Sequence, residues 1–338
     1  MKRIIFLIVP LLLIMCNCGG FKNKRIIMTV KGPVPAGEMG ISLIHEHILV
    51  DFIGADSITD ARWEKSKVIE KAVPFLKQIR DEGCMTFVEC TPAFLGRDPI
   101  MLKAISDALG MNIITNTGYY GARENKFIPR HGFDENAGQL AGRWIAEFES
   151  GIDGTGIKPG FIKIGVDKGN LSEMHKKLIT AAALTHLKTG LVIASHTGPA
   201  IPALEQLEIL KKEGVSPEAF IWVHAQLEND PAKRIYAAQQ GAWIGLDGLN
   251  DRNIHAYAEM IENLRDNDLL DKVLLSHDAG WYDPGKDEGG NYRGYTTLFE
   301  MLVPLLRDKN FPAEEINQLL LVNPSKAFEI RIRKYREK

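Results

Sequence analysis

The chain has 338 residues, of which 45% are hydrophobic and 25% charged, and its formal net charge is -2. That length can bury a sizeable core in one large domain, and so balanced a charge gives no electrostatic footprint for a nucleic-acid partner.

Lys2 and Arg3 precede an apolar stretch from Ile4 to Met15, followed by Cys16, Asn17, Cys18 and two glycines. Residues 1–20 read as an export signal, too short to span a bilayer comfortably. The segment is similar to a bacterial lipoprotein signal. Cys16, with Leu13 three residues before it, is the expected lipid acceptor, and Cys18 is the alternative. Met15 departs from the small residue that this pattern prefers. The expectation is an exported lipoprotein anchored to a bacterial membrane and facing the periplasm or the cell surface, with ordinary secretion or an uncleaved anchor as the other outcomes. Residues 21–338 are expected to form a single domain. Its two cysteines, Cys84 and Cys90, read as buried thiols and make no disulfide framework.

RIIMTVKGPVPAGEMG predicts a short hairpin, after which strand-like and helix-like segments alternate. Strand-like runs fall near 42–51, 85–92, 112–120, 160–167, 191–197, 219–225, 242–248 and 273–279. Stretches between them, such as SEMHKKLITAAALTHLKTG and PALEQLEILKKEG, place apolar residues at three- and four-residue steps and end on glycine, which predicts helices. Eight such units in about three hundred residues predict an α/β protein of (β/α)8 TIM-barrel form, because right-handed crossovers leave few other layouts. An open doubly wound sheet is disfavoured, since no G-x-G-x-x-G follows the first strand. The basic C-terminal run RIRKYREK reads as a solvated helix end.

Several of the runs end on groups that bind metals. His45 and His47 in ISLIHEHILVD share one face by the two-residue period of a strand, with Glu46 on the other. Lys163 lies in FIKIGVD, His196 in VIASHTG, His224 in FIWVHAQ and Asp278 in VLLSHDAGW. In a parallel barrel the carboxyl ends of the strands face one mouth, so these groups converge although far apart in sequence. Together they can hold two divalent cations, with zinc the expected ion. Lys163 is the informative member, because an unpaired ammonium among apolar residues is costly. Two readings of it stay open. Carbon dioxide adds to the neutral amine and gives an anionic carbamate able to bridge two metals, or the ammonium pairs with a carboxylate such as Glu89. His131, His175, His186, His255 and His277 read as structural. His277 is next to Asp278 and so points to the other side of its strand.

These residues carry a resemblance. From about residue 27 to 330 the chain is similar to the phosphotriesterase family of the amidohydrolase superfamily, in GISLIHEHILVD, GFIKIGVD, SHTG, VHAQLEND, the GLD of WIGLDG, the SHD of LLSHDAG and the closing VNPSKAF. The resemblance implies that His45, His47 and Asp278 bind the more buried metal and that His196 and His224 bind the more exposed one. It also implies that Lys163, carboxylated on its side-chain nitrogen, bridges both together with a hydroxide. The implied reaction is hydrolysis of an ester bond by that hydroxide, with Asp278 accepting its proton.

Phosphotriesterases relay a proton from the last-strand aspartate through an aspartate after the sixth-strand histidine to a histidine after GLD. Gln226 or Leu227, and Gly248, occupy those places here. Related lactonases place an arginine after GLD, which Gly248 also lacks, and a tyrosine after the third strand, which Tyr120 matches. The expected small-molecule substrate is therefore a lactone or other carboxylic ester. In the glycine-rich loop after the last run, Trp281, Lys286 and Arg293 are candidate substrate contacts, and the two cations there would favour an anionic group; the other reading of them is solvated surface charges on a mobile lid. The alternatives are a phosphotriester hydrolase, a mononuclear deaminase, which Lys163 disfavours, and a metal-binding lipoprotein without turnover, which the complete ligand set disfavours. A homodimer is left open by the sequence.

Overall fold

The computed structural model describes residues 25–336; the hydrophobic leader, Cys16 and Cys18 lie outside them. The expected hairpin is present, with β1 (Ile26–Thr29) and β2 (Gly32–Pro35) paired antiparallel. It is tied to the barrel where the Val30 amide donates to the Ile113 carbonyl at 2.8 Å.

The eight expected runs form one parallel barrel. β3 (Ile41–Glu46), β4 (Cys84–Glu89) and β5 (Asn112–Ile114) pair in that order. β6 (Asn116–Thr117), β7 (Phe161–Gly165), β8 (Ile193–His196), β9 (Phe220–Val223), β10 (Trp243–Leu246) and β11 (Val273–Leu275) follow in sequence order. β5 and β6 are one barrel strand interrupted at Thr115, whose carbonyl turns to accept from the Gly160 amide. The continuous run expected over 112–120 is thus broken. The ring closes between β11 and β3, where the Asp278 amide donates to the His45 carbonyl at 3.1 Å and the His47 amide to that of Ala279 at 2.9 Å.

Most of the strands are shorter than the apolar runs predict, and at the ends of β4, β9 and β11 acidic side chains take over the amides. Glu46 accepts from the His277 and Ala279 amides at 2.9 Å each, so β11 ends at Leu275 rather than near 279. Helices α1 (Lys65–Asp81), α2 (Pro99–Leu109), α3 (Arg130–Asp134), α4 (Ala137–Ser150), α5 (Glu173–Thr189), α6 (Ala200–Lys212), α7 (Pro231–Gln239) and α8 (Ile254–Arg265) pack outside the strands. The ends of α5 show why the sequence delimits them so well. Ser172 accepts from the His175 amide at the start, and Gly190 takes a left-handed φ of 79° at the end.

Strand alternation creates two apolar layers. Ile162, Ile164, Ile193, Trp222, Ile244 and Leu275 face the helices, while Phe161, Ala194, Ile221 and Leu274 fill the barrel interior with Ile27 and Phe328. Truncating one of the former to alanine should cost about 2–5 kcal/mol. Lys163, between two outward isoleucines, is thereby turned inward.

The basic C-terminal run is not a helix end. The last helix stops at Phe328, and the Arg333 side chain is buried, donating to the carbonyls of Lys326, Ala327 and Glu329. A guanidinium can satisfy several orphaned carbonyls at a helix terminus at once, which a sequence count of charges does not reveal.

Candidate functional site

A cavity of about 480 Å³ opens at the barrel mouth, and His45, His47, Lys163, His196, His224 and Asp278 all line it. The β3 register against β4 shifts between Leu43 and Glu46. Such irregularities re-aim side chains at barrel rims. Here His45 and His47 stand with ring centroids 5.4 Å apart. His224 and Asp278 follow β9 and β11 in left-handed backbone, with φ of 63° and 51°. That conformation costs an ordinary residue roughly 1–2 kcal/mol and persists where the surroundings impose it.

At His224 the imposing group is Asp247, just past β10. Its carboxylate accepts from the His224 amide at 3.0 Å, lies 2.6 Å from His224 Nδ1 and, through its other oxygen, 2.9 Å from His45 Nδ1. An ionised carboxylate only accepts, so both imidazoles place their proton on Nδ1 and their neutral forms present Nε2 lone pairs inward. His47 is turned likewise by Thr91, whose Oγ1 is 2.8 Å from Nδ1. The Nε2 atoms of His47, His45 and His224 then lie 3.0, 3.7 and 3.8 Å from the Asp278 carboxylate.

Burial works against charge on Asp278 and Asp247, yet the facing histidines outweigh it and hold both carboxyls well below the usual range. Burial and the Lys163 charge push His45 down to about 4. Burial also pushes His196 well below its ordinary value, with His224 and Lys163 adding to the effect. At His224 the burial penalty is outweighed by Asp247, and the pKa rises.

Lys163 Nζ is 3.3 Å from His45 Nε2. The pairing with Glu89 is not formed among the described residues. Glu89, raised to about 6 by burial, spends its oxygens on the Thr91 hydroxyl and amide and on the Ile48 amide. His45, His224 and Asp278 offer ligand atoms within 4.8 Å of one another. Inward lone pairs converging on a carboxylate are the donor set that a divalent ion requires, so the residues fit a metal centre.

Other expected residues divide. Tyr120 and Trp281 line the cavity, Tyr120 packed 5.1 Å from the His196 ring and Trp281 5.7 Å from that of His47. Lys286 does not reach it; the chain folds back on itself, and Nζ lies 3.6 Å from Asp283. Arg293 borders a neighbouring recess and donates to the carbonyls of Asp278 and His277 at 3.2 and 3.3 Å. His277 is structural as expected, with Nδ1 2.7 Å from Glu46 and Nε2 accepting from the Leu298 amide. Asp247 and Thr91 were given no role by sequence reasoning. The GLD of WIGLDG, with Asp247 at the end of a strand-like run, could have pointed to it.

The sequence model of the phosphotriesterase family matches residues 25–328. The chain belongs to that family. It is 30% identical over 294 residues to the phosphotriesterase homology protein of Escherichia coli, covering 86% of this chain and 98% of the relative. A crystal structure of that Escherichia coli protein, with phosphate in its active site, superposes with a TM-score of 0.74 at 28% identity, covering 86% of this chain and 99% of the other. An aryldialkylphosphatase of Saccharolobus solfataricus is 28% identical over 321 residues, 90% of this chain and 99% of the relative. A phospho-furanose lactonase of Mycoplasmopsis synoviae is 26% identical over 330 residues, 90% of this chain and 92% of the relative. As a member of the phosphotriesterase family the protein is a hydrolase, and its mouth carries a His and Asp group suited to a metal.

Proposed function

We propose that this hydrolase opens a lactone or cleaves another carboxylic ester, with two divalent ions, zinc being the expected metal, held by His45, His47, His196, His224, Asp278 and a carboxylated Lys163. The observation that carries the substrate reading is the packing around Gly248. A Cβ there would sit 2.7 Å from Gln226 Nε2 and 3.1 Å from the Tyr257 hydroxyl. Gln226 is itself engaged, its Oε1 accepting from the Asp247 amide at 3.2 Å. The position that completes a phosphotriesterase proton relay is therefore filled by neighbours rather than by a titrating side chain.

Divalent ions supply Lewis acidity, which makes a water nucleophilic near neutral pH and polarises the scissile carbonyl. The protein's own groups do the rest. Asp278, ionised and central among the histidines, accepts a proton from the attacking water. Tyr120, whose hydroxyl burial keeps protonated, is a donor for oxygen on the substrate. Val50, Phe52, Leu95 and Trp281 form an apolar wall that excludes bulk water and strengthens these contacts. The Lys163 ammonium first gives up one proton; addition of carbon dioxide to the neutral amine then forms an N–C bond and releases a second, so that a buried cation is replaced by an anion.

The Mycoplasmopsis lactonase supports the lactone reading. A phosphotriester reading draws on the Saccharolobus aryldialkylphosphatase and is the second choice. The deciding measurement is kcat/KM for lactones, carboxylic esters and paraoxon on protein whose metal content has been determined. We expect about two metals per chain and lactones or esters as the better substrates. Paraoxon as the best substrate would overturn the substrate assignment, and one metal per chain the binuclear one. The proposal extends to the leader, with the protein exported and membrane-anchored through lipidated Cys16.

A further inference from the structure

The rim of the cavity carries a device that the reaction itself does not explain. After β6 the chain enters three successive left-handed residues, Arg123, Glu124 and Asn125, with φ of 58°, 58° and 62°. Residues other than glycine visit this region singly as a rule, so a run of three has to be imposed from outside. Asp167, just past β7, imposes it. One carboxylate oxygen accepts from the Arg123 amide at 2.7 Å and the other from the Glu124 amide at 3.1 Å. The turn is anchored again at Gly121, whose carbonyl accepts from the Asn125 amide at 3.2 Å and lies 3.1 Å from His175 Nε2.

The consequence is the placement of two cations. The Arg123 guanidinium lies over the Phe52 ring, 4.8 Å from its centroid, and both residues line the cavity. Lys168, next to Asp167, lines it too. Neither Arg123 nor Lys168 forms an ion pair among the described residues, because the carboxylate between them is committed to backbone amides. Glu124, the other acid of the turn, does not line the cavity. Asp167 lines the cavity as well, so two exposed cations and one amide-held carboxylate give a net positive rim to an apolar chamber whose floor is the metal-binding cluster.

We infer that Arg123 and Lys168 receive an anionic group, a carboxylate or a phosphate, carried by the substrate at the end remote from the scissile carbonyl. This rests on the lactone or carboxylic-ester reading given above. A guanidinium set over an aromatic ring keeps its outward N–H groups for such an anion, and Lys168 adds a flexible point charge. The wall of Phe52 and Leu95 takes the carbon skeleton between the two ends. Asp167 acts as a positioning residue. The anion-binding role expected of Lys286 and Arg293 passes to Arg123 and Lys168.

The test compares the metal-loaded wild type with Arg123→Met, Arg123→Lys and Lys168→Met on three γ-lactones of one ring, substituted with hydroxymethyl, carboxylate or phosphate. Hydrolysis of the hydroxymethyl lactone by the wild type examines the parent reading alone. For the anionic lactones, the ratio of kcat/KM to that of the neutral one should fall roughly ten- to a hundredfold in Arg123→Met, mainly through KM. It should fall less in Lys168→Met and recover in part in Arg123→Lys. A fall confined to the phosphate or to the carboxylate substrate identifies the anion. Calorimetry with tetrahydrofurfuryl phosphate, which has no scissile ester carbonyl, should show binding weakened by a similar factor in Arg123→Met. If the wild type opens none of the lactones, the lactone reading fails and the calorimetry alone judges the rim. An unchanged ratio together with unchanged binding in Arg123→Met, or equal losses on neutral and anionic lactones, would overturn the inference.

Discussion

His45 and Asp247, 202 positions apart in the chain, meet with Nδ1 2.9 Å from Oδ2. The other oxygen of the same carboxylate holds His224, so one buried anion sets the tautomer and direction of two imidazoles of the candidate metal site. Outer partners of this kind typically contribute about 10- to 100-fold to metal affinity or activity. Asp247→Asn should therefore lower metal occupancy or kcat/KM by roughly that factor, since an amide cannot accept from both rings through two oxygens. Metal titration followed by a rate measurement checks it, and an Asp247→Asn protein with wild-type occupancy and turnover would remove Asp247 from this role.

Lys163→Ala removes the group proposed to become the carbamate. The variant is expected to lose activity and one of its two metals, with partial return when a short carboxylic acid is added. Undiminished metal content and turnover would show that the lysine is not a bridge.

His186, far from the mouth, holds the C-terminal tail. Its Nδ1 lies 2.7 Å from the Leu191 carbonyl, and its Nε2 accepts from the Arg333 amide at 2.9 Å. Burial lowers its pKa from 6.5 to about 4. Between those values the unfolded chain binds a proton that the folded chain refuses, so stability is intact above pH 6.5 and declines as the pH falls toward 4. This residue should account for about 2 kcal/mol of lost stability between pH 7 and 5. Urea denaturation of wild type and His186→Gln at both pH values measures it. The variant should be less stable at pH 7 but have a flatter acid limb, and identical slopes would show that His186 does not carry the effect.

Cys16→Ser addresses the leader. If Cys16 receives the lipid, the variant should leave the membrane fraction or retain an uncleaved signal. Normal processing with unchanged fractionation would count against that cysteine.

Much of this protein was legible from its sequence because the relevant signals are local. Strand alternation around Lys163 needs only the neighbouring isoleucines, and Ser172 and Gly190 delimit α5 through hydrogen bonds and a φ angle that involve a few adjacent residues. The positions of the candidate metal ligands at strand ends were equally readable, since a parallel barrel brings all those ends to one mouth. The family resemblance assigned them their expected partners.

What only the tertiary structure decided lies in contacts between segments far apart in sequence. Arg293 looked like a substrate contact by its charge and loop; the structure sets it at a recess beside the cavity, with two of its N–H groups on the carbonyls of His277 and Asp278. Arg123 gave no signal, because its exposure to the cavity depends on Asp167 capturing two amides some forty residues earlier in the chain. The dual grip of Asp247 on His45 and His224 was invisible for the same reason. Alternation and capping propensities specify which way a residue points within its own element, whereas the partner of a buried charge is chosen by barrel closure, which brings β3 and β10 within hydrogen-bonding reach.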